Sequence, residues 1–425
     1  MKKRTYWGFI KDPIYGYVHI TELEKELIDT RVVQRLRRLR QLAGAEYVYP
    51  GANHTRFEHS IGVMYLAGVL AESLPVNLTD EDIQMVRIAG LLHDVGHGPF
   101  SHIYESLSIK YLGKTHENLT QWIISDSELA DILSNMGYSP RRISKLATGN
   151  LREEGRFFLD QIISSAVDVD KMDFIIRDSY HTGAEYGYVD IFRLIYTMDV
   201  LNGNLSVDLT ALSSLEAFIL ARIESFKSIY FHKVARAVQI MLLKAMEFAK
   251  DEIPLVSFSN IDEYLSLDDY TVWTMLRKVE KSNEIIKKLE RRQLLKAAYN
   301  RTFYVRDETV SSIFTNEKVR EKIEEEIAEQ ANVDRENVII DVPTLPSVPY
   351  RHSIEMEPMK IPVFYRTKEG AKVPVNLRDA SQLIDALRGF MNIIRVYTWE
   401  SYREQVAKAA ESIIGVPPYS AKISY

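Results

Sequence analysis

The sequence predicts a mainly α-helical fold followed by a smaller α+β region. Long stretches with apolar residues at helical spacing fill residues 1–253, whereas stretches rich in β-branched and aromatic residues are concentrated after residue 254. The chain has 425 residues, which is long enough for two or three folding units. We therefore expect a helical unit over residues 1–253 and an α+β unit over residues 254–425 that contributes to oligomer contacts.

The first part reads as one short strand followed by helices. The strand is predicted at residues 15–20, and helices are predicted at residues 20–44, 61–74, 80–94, 117–126, 127–137, 139–148, 158–183, 190–198 and 212–252. Asp29 and Thr30 are N-cap candidates in the first of these helices, and Gly44 is its expected stop. Thr79 or Asp80 is expected to cap the helix at residues 80–94.

The second part is predicted to contain both helices and strands. Helices are predicted at residues 266–279, 284–298, 317–331 and 380–391, and strands at residues 302–307, 337–343, 360–366 and 393–400. This mixture indicates an α+β region without repeats.

The composition excludes several kinds of protein. The chain has no cysteine, which rules out disulfides, thiolate metal sites and cysteine nucleophiles. No apolar run reaches the roughly 20 residues that cross a bilayer, and the basic N-terminus lacks the apolar stretch of a signal peptide. A net charge of −6 argues against broad nucleic-acid binding, although the basic stretch "RLRRLRQ" can serve phosphate ligands. We expect a cytoplasmic protein without membrane contact.

The segment "GLLHDVGHGPFSH", residues 90–102, concentrates histidine at the end of a predicted helix. His93 and Asp94 can aim at one point if the helix unwinds there, and Gly96, Gly98 and Pro99 allow it to unwind. Imidazole and carboxylate together suit a divalent transition metal. The alternative for an isolated pair is a helix C-terminal histidine with a solvated neighbour.

Further ligand candidates come from two other apolar stretches. His59 lies near the start of a helix, and "VDVDKMDF" places Asp168, Asp170 and Asp173 in an otherwise apolar helix. Buried carboxylates are costly unless they are paired, hydrogen-bonded or bound to metal. The three stretches together predict a metal site formed by two histidines, Asp94 and one of these three aspartates.

These motifs resemble a known family. The pattern His, His-Asp, Asp is the signature of HD-domain metal-dependent phosphohydrolases. The longer stretches "QRLRRLRQL", "YPGANHTRFEHSIGV", "AGLLHDVGHGPFSH", "DVDKMDFIIRDSYHTG" and "SIYFHKVARAVQIM" are similar to its deoxynucleoside triphosphate triphosphohydrolase branch, which includes mammalian sterile-alpha-motif/HD proteins and bacterial dGTPase-like enzymes. The resemblance is dense over residues 5–250 and implies an HD-domain helical core.

The resemblance implies the metal ligands and the reaction. It assigns the metal to His59, His93, Asp94 and Asp170. Such a His2Asp2 set suits Mn²⁺, Fe²⁺, Zn²⁺ or Ni²⁺, with Mg²⁺ entering alongside the triphosphate. The implied enzyme is a hydrolase in which a metal-activated water attacks the α-phosphorus of a dNTP and releases the deoxynucleoside and inorganic triphosphate.

The remaining histidines of the motifs take proton and phosphate roles by the same resemblance. The leaving nucleoside 5′-oxygen needs a proton, and His102 is the implied general acid, oriented by Glu105. His97 and His116 are implied to contact the phosphates. The alternative for His116 is a surface-loop histidine.

The resemblance also implies the residues that hold the nucleotide. The phosphate partners are Arg56, Lys171 and Arg222, and the sugar partners are Gln41, Asp178 and Tyr230. A surface salt bridge is the alternative role for each cation. Phe174 departs from the tyrosine that is common in the family, which weakens the expected discrimination against ribose.

Regulation is implied by three residues of the first predicted helix. Asp29, Gln34 and Arg37 match positions that read a guanine in nucleotide-activated tetramers of the family, which implies a GTP or dGTP activator and a homo-oligomer, a dimer or a homotetramer. Lys11 stands where the family commonly has asparagine. The alternative is that Asp29 caps the helix while Gln34 and Arg37 lie on its solvated side.

Two other functions stay open at this point. One is an HD-type phosphohydrolase that acts on another phosphoester, such as a nucleoside monophosphate or a cyclic nucleotide. The other is a nucleotide- or nucleic-acid-binding protein without turnover. The sequence leaves the metal and the base preference undecided.

Overall fold

The computed structural model describes residues 5–305, 316–345, 362–387 and 390–415. Helices dominate as far as residue 290, and most of the strand residues lie after it, so the predicted mainly α fold with a smaller α+β C-terminal region is confirmed. None of the described helices combines the length and the apolar character needed to cross a bilayer.

A two-stranded hairpin precedes the helices. Strands β1 (Gly8–Asp12) and β2 (Gly16–Ile20) are antiparallel, with Gly8 opposite Ile20, and the second confirms the strand predicted at residues 15–20. Asp12 closes the turn because its Oδ1 accepts the N–H groups of Ile14 and Tyr15 at 2.8 and 2.9 Å. The hairpin packs Val18 and Ile20 into the core.

Thirteen α-helices are described before residue 254. They are α1 (Glu22–Ile28), α2 (Arg31–Arg35), α3 (Arg56–Ser73), α4 (Asp80–Leu92), α5 (His102–Leu112), α6 (His116–Asp126), α7 (Glu128–Asn135), α8 (Pro140–Ala147), α9 (Phe158–Ile163), α10 (Val169–Thr182), α11 (Ile191–Thr197), α12 (Leu212–Ser225) and α13 (Lys233–Ala249). Thr79 caps α4 through a reciprocal capping box, as predicted. Helix α3 packs along α4 and α10, which places the motifs of three helices side by side.

The single helix predicted at residues 20–44 is wrong. Asp29 ends α1 as its C-cap instead of capping a helix start, whereas Thr30 caps α2 by accepting the Val33 N–H. Helical structure continues only as a 3₁₀ turn at Leu36–Arg38. Gly44 ends no α-helix; it adopts φ +88° before a second 3₁₀ turn at Ala45–Tyr47.

Two other long helices are also divided. The stretch at residues 158–183 forms α9 and α10, because Asp168 accepts the N–H groups of Ser165 and Lys171 and starts a new helix. The stretch at residues 212–252 forms α12 and α13, separated by a π-helical turn at Phe226–Tyr230.

A hairpin lies where the sequence prediction had no strand. Strands β3 (Met198–Leu201) and β4 (Asn204–Asp208) are antiparallel around Asn202 and Gly203, both of which have positive φ. β4 pairs in parallel with β8 (Val363–Arg366), and β8 pairs with β9 (Lys372–Val375). This four-stranded sheet therefore joins chain segments from both predicted units.

The second half supplies further helices and a second sheet. The helices are α14 (Ile261–Leu265), α15 (Asp269–Leu276), α16 (Glu280–Glu290), α17 (Glu317–Ala331), α18 (Leu377–Ala380), α19 (Gln382–Ala386) and α20 (Arg403–Ile414). The sheet contains β5 (Lys296–Val305), β6 (Ile339–Asp341), β7 (Thr344–Leu345) and β10 (Phe390–Thr398), with β10 in the middle. The helix predicted at residues 284–298 ends at Glu290, because residues 296–298 belong to β5.

Parts of three predicted elements lie outside the described residues, namely residues 306–307, 360–361 and 388–389. The main hydrophobic core is continuous across residue 254, since Leu255, Tyr264, Leu276 and Val363 are buried in the same cluster as Leu91. The division into residues 1–253 and 254–425 stays a prediction.

Candidate functional site

His59 and Asp170 meet between helices α3 and α10. The Nε2 atom of His59 lies 3.0 Å from Oδ1 of Asp170, and its Nδ1 lies 2.8 Å from Oδ2 of Asp173. The His59 side chain is buried, while Asp170 keeps a fifth of its side chain exposed. Burial alone would lower the pKa of His59, but hydrogen bonds to Asp170 and Asp173 raise it to about 10. Asp170 therefore faces the site, and Asp173 holds the ring from behind.

His93 completes a group of three metal-type ligands. Its Nδ1 lies 2.8 Å from the carbonyl oxygen of Gly90, which can only accept, so the ring proton is on Nδ1. Its buried Nε2 has no hydrogen-bond partner among the described residues and is left with a free lone pair. One ligand atom each of His59, His93 and Asp170 lies within 4.8 Å of the others. An orphaned imidazole nitrogen beside a carboxylate is the donor set that a divalent metal fits.

Asp94 lies next to this group. Its Oδ1 is 3.2 Å from Nε2 of His93, and its Oδ2 is 3.7 Å from Nε2 of His59 and 2.5 Å from Nη1 of Arg56. Burial alone would raise the pKa of Asp94, but Arg56, His93 and His97 lower it well below its usual range. Asp94 is thus an ionised carboxylate within reach of the three candidate metal ligands.

A buried charge network supports His59, and the sequence prediction did not identify it as a network. Arg177 donates to both oxygens of Asp173 at 2.8 and 2.9 Å and to Oδ2 of Asp12 at 2.9 Å. All three side chains are nearly or completely buried. Burial alone would raise the pKa of Asp173, but Arg177 and His59 lower it to about 2. The hairpin residue Asp12 is therefore connected to the candidate metal ligand His59 through two further side chains.

Asp168 has a different role from the other aspartates of "VDVDKMDF". Besides capping α10, its Oδ2 lies 2.6 Å from Nζ of Lys171, and both side chains are buried. Lys171 is one of the residues that the resemblance assigns to phosphate. In the structure its ammonium group is directed to Asp168.

A cluster of three histidines lies beside the candidate metal ligands. His97 stacks on His116 with ring centroids 4.1 Å apart, and its Nε2 is 3.3 Å from Oδ1 of Asp94. Glu105 lies between the other two, with Oε2 3.2 Å from Nδ1 of His102 and Oε1 2.5 Å from Nδ1 of His116. His102 is the exposed member, with 63% of its side chain accessible.

The protonation of the cluster follows from its partners. Burial, Arg56 and His116 lower the pKa of His97 well below its usual range. Burial alone would lower the pKa of His116, but the Glu105 carboxylate raises it. Burial alone would raise the pKa of Glu105, but the hydrogen bonds to His102 and His116 lower it. The cluster therefore contains a neutral imidazole, a cationic imidazole and an ionised carboxylate.

Two of the predicted sugar partners, Gln41 and Tyr230, line a cavity next to His102. The cavity has a volume of about 100 Å³ and is lined by Gln41, Leu42, His102, Ile229 and Tyr230 among others. Tyr230 donates to Oδ2 of Asp178 at 2.5 Å, and the ring of Phe174 meets Tyr230 edge-on at 6.2 Å. The Oε1 atom of Gln41 is buried without a hydrogen-bond partner among the described residues.

His54 was not identified from the sequence, although it lies in a quoted motif. Its Nε2 is 2.9 Å from Oδ1 of Asp178, and its buried ring stacks on His181 at 4.4 Å. It therefore supports the same carboxylate that Tyr230 contacts. Only its proximity to His59 in sequence signalled a role.

Two arginines of the predicted phosphate set are buried. Arg56 donates from Nε to Oγ of Ser101 at 2.8 Å and from Nη1 to Asp94, while its Nη2 has no hydrogen-bond partner among the described residues. Arg222 lies on α12 and is buried, with 5% of the residue exposed. A buried guanidinium with an unused donor is suited to an anion.

The predicted activator residues form a separate group on the surface. The Nε2 atom of Gln34 donates to the carbonyl of Ile28, and the Nε atom of Arg37 donates to Oε1 of Gln34 at 2.9 Å. Arg37 also lies over the ring of Phe57 at 3.5 Å. Asp29 is exposed and lies 3.3 Å from Nζ of Lys25.

The chain was compared with known proteins. The HD domain matches residues 56–178, and the HD associated region matches residues 189–424. The chain belongs to the HD-domain family. HD domains are phosphohydrolase domains that bind divalent metal ions, and the group His59, His93 and Asp170 of this HD-domain protein could hold one.

Relatives of this HD-domain protein have been named in several organisms. The deoxynucleoside triphosphate triphosphohydrolase SAMHD1 homolog of Dictyostelium discoideum is 33% identical over 78% of this chain and 66% of that protein. The SAMHD1 protein of Homo sapiens is 31% identical over 68% of this chain and 54% of that protein. The uncharacterized protein MJ1154 of Methanocaldococcus jannaschii is 31% identical over 80% of this chain and 70% of that protein. These likenesses confirm the resemblance indicated by the motifs.

The fold is shared with a solved structure. The crystal structure of a hypothetical protein from Aquifex aeolicus superposes with a TM-score of 0.76 at 31% identity and covers 94% of this chain and 99% of that chain. The HD-domain protein described here spans 54–70% of the length of the three named relatives.

Proposed function

We propose that the protein is a metal-dependent hydrolase that cleaves deoxynucleoside triphosphates into deoxynucleoside and inorganic triphosphate. The observation that supports it is the presence of three groups of side chains in one region. They are the ligand group His59, His93 and Asp170, the His102–Glu105 pair, and a buried Arg56 with an unused donor. The two relatives named as deoxynucleoside triphosphate triphosphohydrolases favour this substrate over other phosphoesters.

The metal would be held by His59, His93, Asp94 and Asp170. The mixed nitrogen and oxygen donors favour Mn²⁺, Fe²⁺, Zn²⁺ or Ni²⁺, and Mg²⁺ would enter with the triphosphate. When bound, a divalent ion supplies Lewis acidity and a stronger nucleophile. The chain orients its own ligands, since Asp173 fixes His59 and the Gly90 carbonyl fixes His93.

The phosphates would be bound by positive groups behind the metal ligands. Arg56 is fixed by Asp94 and Ser101, so its remaining donor is directed without loss of side-chain freedom. His116, cationic through Glu105, can donate to a phosphate oxygen, and so can His97 if its N–H turns from Asp94 to the phosphate. Arg222 is a further phosphate partner in this proposal, as is Lys171 once it exchanges Asp168 for a phosphate.

His102 would protonate the leaving 5′-oxygen. It is the exposed histidine of the cluster and lines the cavity that contains Gln41 and Tyr230. Glu105 accepts from its Nδ1, which leaves Nε2 to carry the transferred proton. Gln41 and Tyr230 line the cavity and would hold the sugar together with Asp178, which accepts from the Tyr230 hydroxyl. The hydrophobic Phe174 would contribute no hydroxyl contact.

Activation by GTP or dGTP and assembly into a dimer or a tetramer belong to the same proposal. Arg37 and Gln34 already share a hydrogen bond on the surface, which holds two polar groups in a fixed arrangement near Asp29. The alternative is that this hydrogen bond only stabilises the turn after α2. The cytoplasmic location stays a prediction from the sequence.

The decisive experiment is product analysis with the metal-loaded protein. Each dNTP and NTP is incubated with and without GTP or dGTP, and the products are separated. Deoxynucleoside plus triphosphate supports the proposal, whereas monophosphate plus pyrophosphate, or no turnover with any of the named metals, contradicts it. A cyclic nucleotide is assayed in parallel, and turnover of that substrate alone would support another HD-type activity.

Variants connect the activity to the ligands. His93→Ala and Asp94→Ala should each lose bound metal and turnover together. The matched control is His19→Ala, which removes an exposed hairpin histidine and should change neither. Retained metal and activity in His93→Ala would refute the ligand assignment.

A further inference from the structure

The turn before His102 has an unusual backbone. Phe100 and Ser101 have φ angles of +58° and +57°, a region that side-chain-bearing residues seldom adopt. His102 follows directly as the first residue of α5. Two consecutive residues in this conformation persist only where neighbouring groups hold them. The direction of the His102 side chain therefore depends on what fixes this turn.

One carboxylate from the second half of the chain holds the turn. Asp269, the first residue of α15, accepts the Phe100 N–H with Oδ1 at 2.7 Å and the Arg40 N–H with Oδ2 at 2.9 Å. Its side chain is buried, and Trp273 of the same helix packs against Phe100 with ring centroids 6.4 Å apart. Both oxygens of Asp269 are thus used to bind two separate backbone segments.

The two segments carry residues of the proposed active site. Arg40 precedes Gln41, a proposed sugar partner, and Phe100 lies two residues before His102. Ser101 reinforces the connection, because its Oγ donates to the Arg40 carbonyl at 2.7 Å and accepts from Arg56 at 2.8 Å. The segments are therefore fixed relative to one another through Asp269 and Ser101.

We propose that Asp269 is a positioning residue that aims His102 at the leaving 5′-oxygen. The inference rests on the proposed function and assigns a role in it to the HD associated region, to which residue 269 belongs. Asp269 does not touch the nucleotide and acts through the backbone of the turn. In the reaction, water adds to the α-phosphorus and loses a proton to solvent, the bond from phosphorus to the 5′-oxygen breaks, and that oxygen takes a proton from His102.

A change of leaving group separates this role from a general loss of structure. In Asp269→Asn, the amide nitrogen cannot accept a backbone N–H, so one of the two segments is released. The variant is assayed on a dNTP and on its analogue with sulfur in place of the bridging 5′-oxygen, which leaves as a thiolate without needing a proton. We expect kcat on the dNTP to fall by about tenfold or more, with kcat on the sulfur analogue within about threefold of wild type. His102→Ala should show the same pattern, and both variants should keep their metal.

Asp160→Asn is the matched control. Asp160 on α9 is also buried and also accepts two backbone N–H groups, those of Leu151 and Arg152 at 2.8 and 2.6 Å, and Arg152 likewise has a positive φ. The control should lower the melting temperature to a similar extent while keeping kcat on both substrates. An equal fall on both substrates in Asp269→Asn, or no fall at all, overturns the proposal.

An NMR measurement that needs no turnover tests the positioning role of Asp269 independently of the proposed function. If the wild type produces no deoxynucleoside and triphosphate, the proposed function fails, and the position of His102 is read from the ring-nitrogen NMR signals of ¹⁵N-histidine protein. Loss of the His102 Nδ1 signal for the hydrogen bond to Glu105 in Asp269→Asn, but not in Asp160→Asn, supports the positioning role. Unchanged His102 signals in Asp269→Asn overturn it.

Discussion

At the scale of single residues, the histidines that the structure describes differ because their partners differ. His93 donates to a backbone carbonyl and is left with a free lone pair, whereas His102 is bound to a carboxylate and exposed. The first arrangement suits a metal ligand, and the second suits a proton donor. His181 differs from both, because its ring stacks on His54 and its Nε2 lies 3.8 Å from Oε2 of Glu58.

The acid response of His181 can be predicted with its sign. Burial, His54 and Arg177 lower the pKa of His181 to about 4, so between pH 6.5 and 4 the unfolded chain binds a proton that the folded chain does not. The stabilising contribution is complete above pH 6.5 and is lost as the pH falls toward 4. Allowing for partial exposure, we expect a loss on the order of 1 kcal/mol between pH 7 and pH 4.5.

The measurement is the free energy of unfolding in urea at pH 7 and pH 4.5. His181→Gln should show a smaller difference between the two pH values than the wild type. His19→Gln, which changes an exposed histidine, is the control and should keep the wild-type difference. An identical pH dependence in wild type and His181→Gln would contradict the prediction.

The candidate metal ligands could be predicted from the sequence, whereas the residues that hold the site in place could not. His59, His93 and Asp170 were predicted from helix-end patterns and a family signature, and the structure brings them together. Spacing could not tell whether Asp168, Asp170 or Asp173 faces the others, since all three lie in one apolar stretch. Asp12 and Asp269 act from positions far away in sequence, so no local pattern could connect them to the site.

At the scale of elements, the existence of helices was easier to predict than their ends. The strands β3 and β4 were missed although Asn202-Gly203, a strong hairpin signal, lies between them. The helix at residues 158–183 was read as continuous because Asp168 was treated as a ligand candidate and not as a cap.

The close packing of helix α3 against helix α10 gives a prediction at this scale. A Cβ atom on Gly62 would lie 2.0 Å from Oδ1 of Asp173 and 2.5 Å from Nη2 of Arg177, in the network that supports His59. Gly62→Ala should therefore separate the two helices, lower the free energy of unfolding by about 1–3 kcal/mol and weaken metal binding by about 10–100-fold.

Both quantities are measurable, the first by urea unfolding and the second by equilibrium dialysis against Mn²⁺. Gly8→Ala is the control, because a Cβ there meets no atom within 4 Å. If Gly62→Ala bound the metal as tightly as wild type, the Asp173–Arg177 network would not control His59.

At the scale of the whole molecule, the two predicted units share their core and their site. Tyr264 donates to the carbonyl of Gly96, and Arg35 donates to the carbonyls of both His97 and Leu267. The sheet of β3, β4, β8 and β9 joins the same two parts on another side. The change in sequence texture near residue 254 thus marks a change in the kind of element and not a gap in packing.

This continuity predicts that residues 1–253 do not fold alone. Cutting the chain there removes a set of completely buried side chains, which includes Leu255, Tyr264, Leu267, Val272, Leu276 and Ile286. Each represents about 1.5–3 kcal/mol of burial, so their sum is comparable with the about 5–15 kcal/mol by which a whole domain is stable. The isolated fragment should bind a hydrophobic dye and lack a cooperative urea transition, and co-expression with residues 254–425 should restore both the transition and metal binding. A cooperative transition and metal binding in the fragment alone would show that the first part is an independent domain, and that its contacts with the second part serve the active site and not folding.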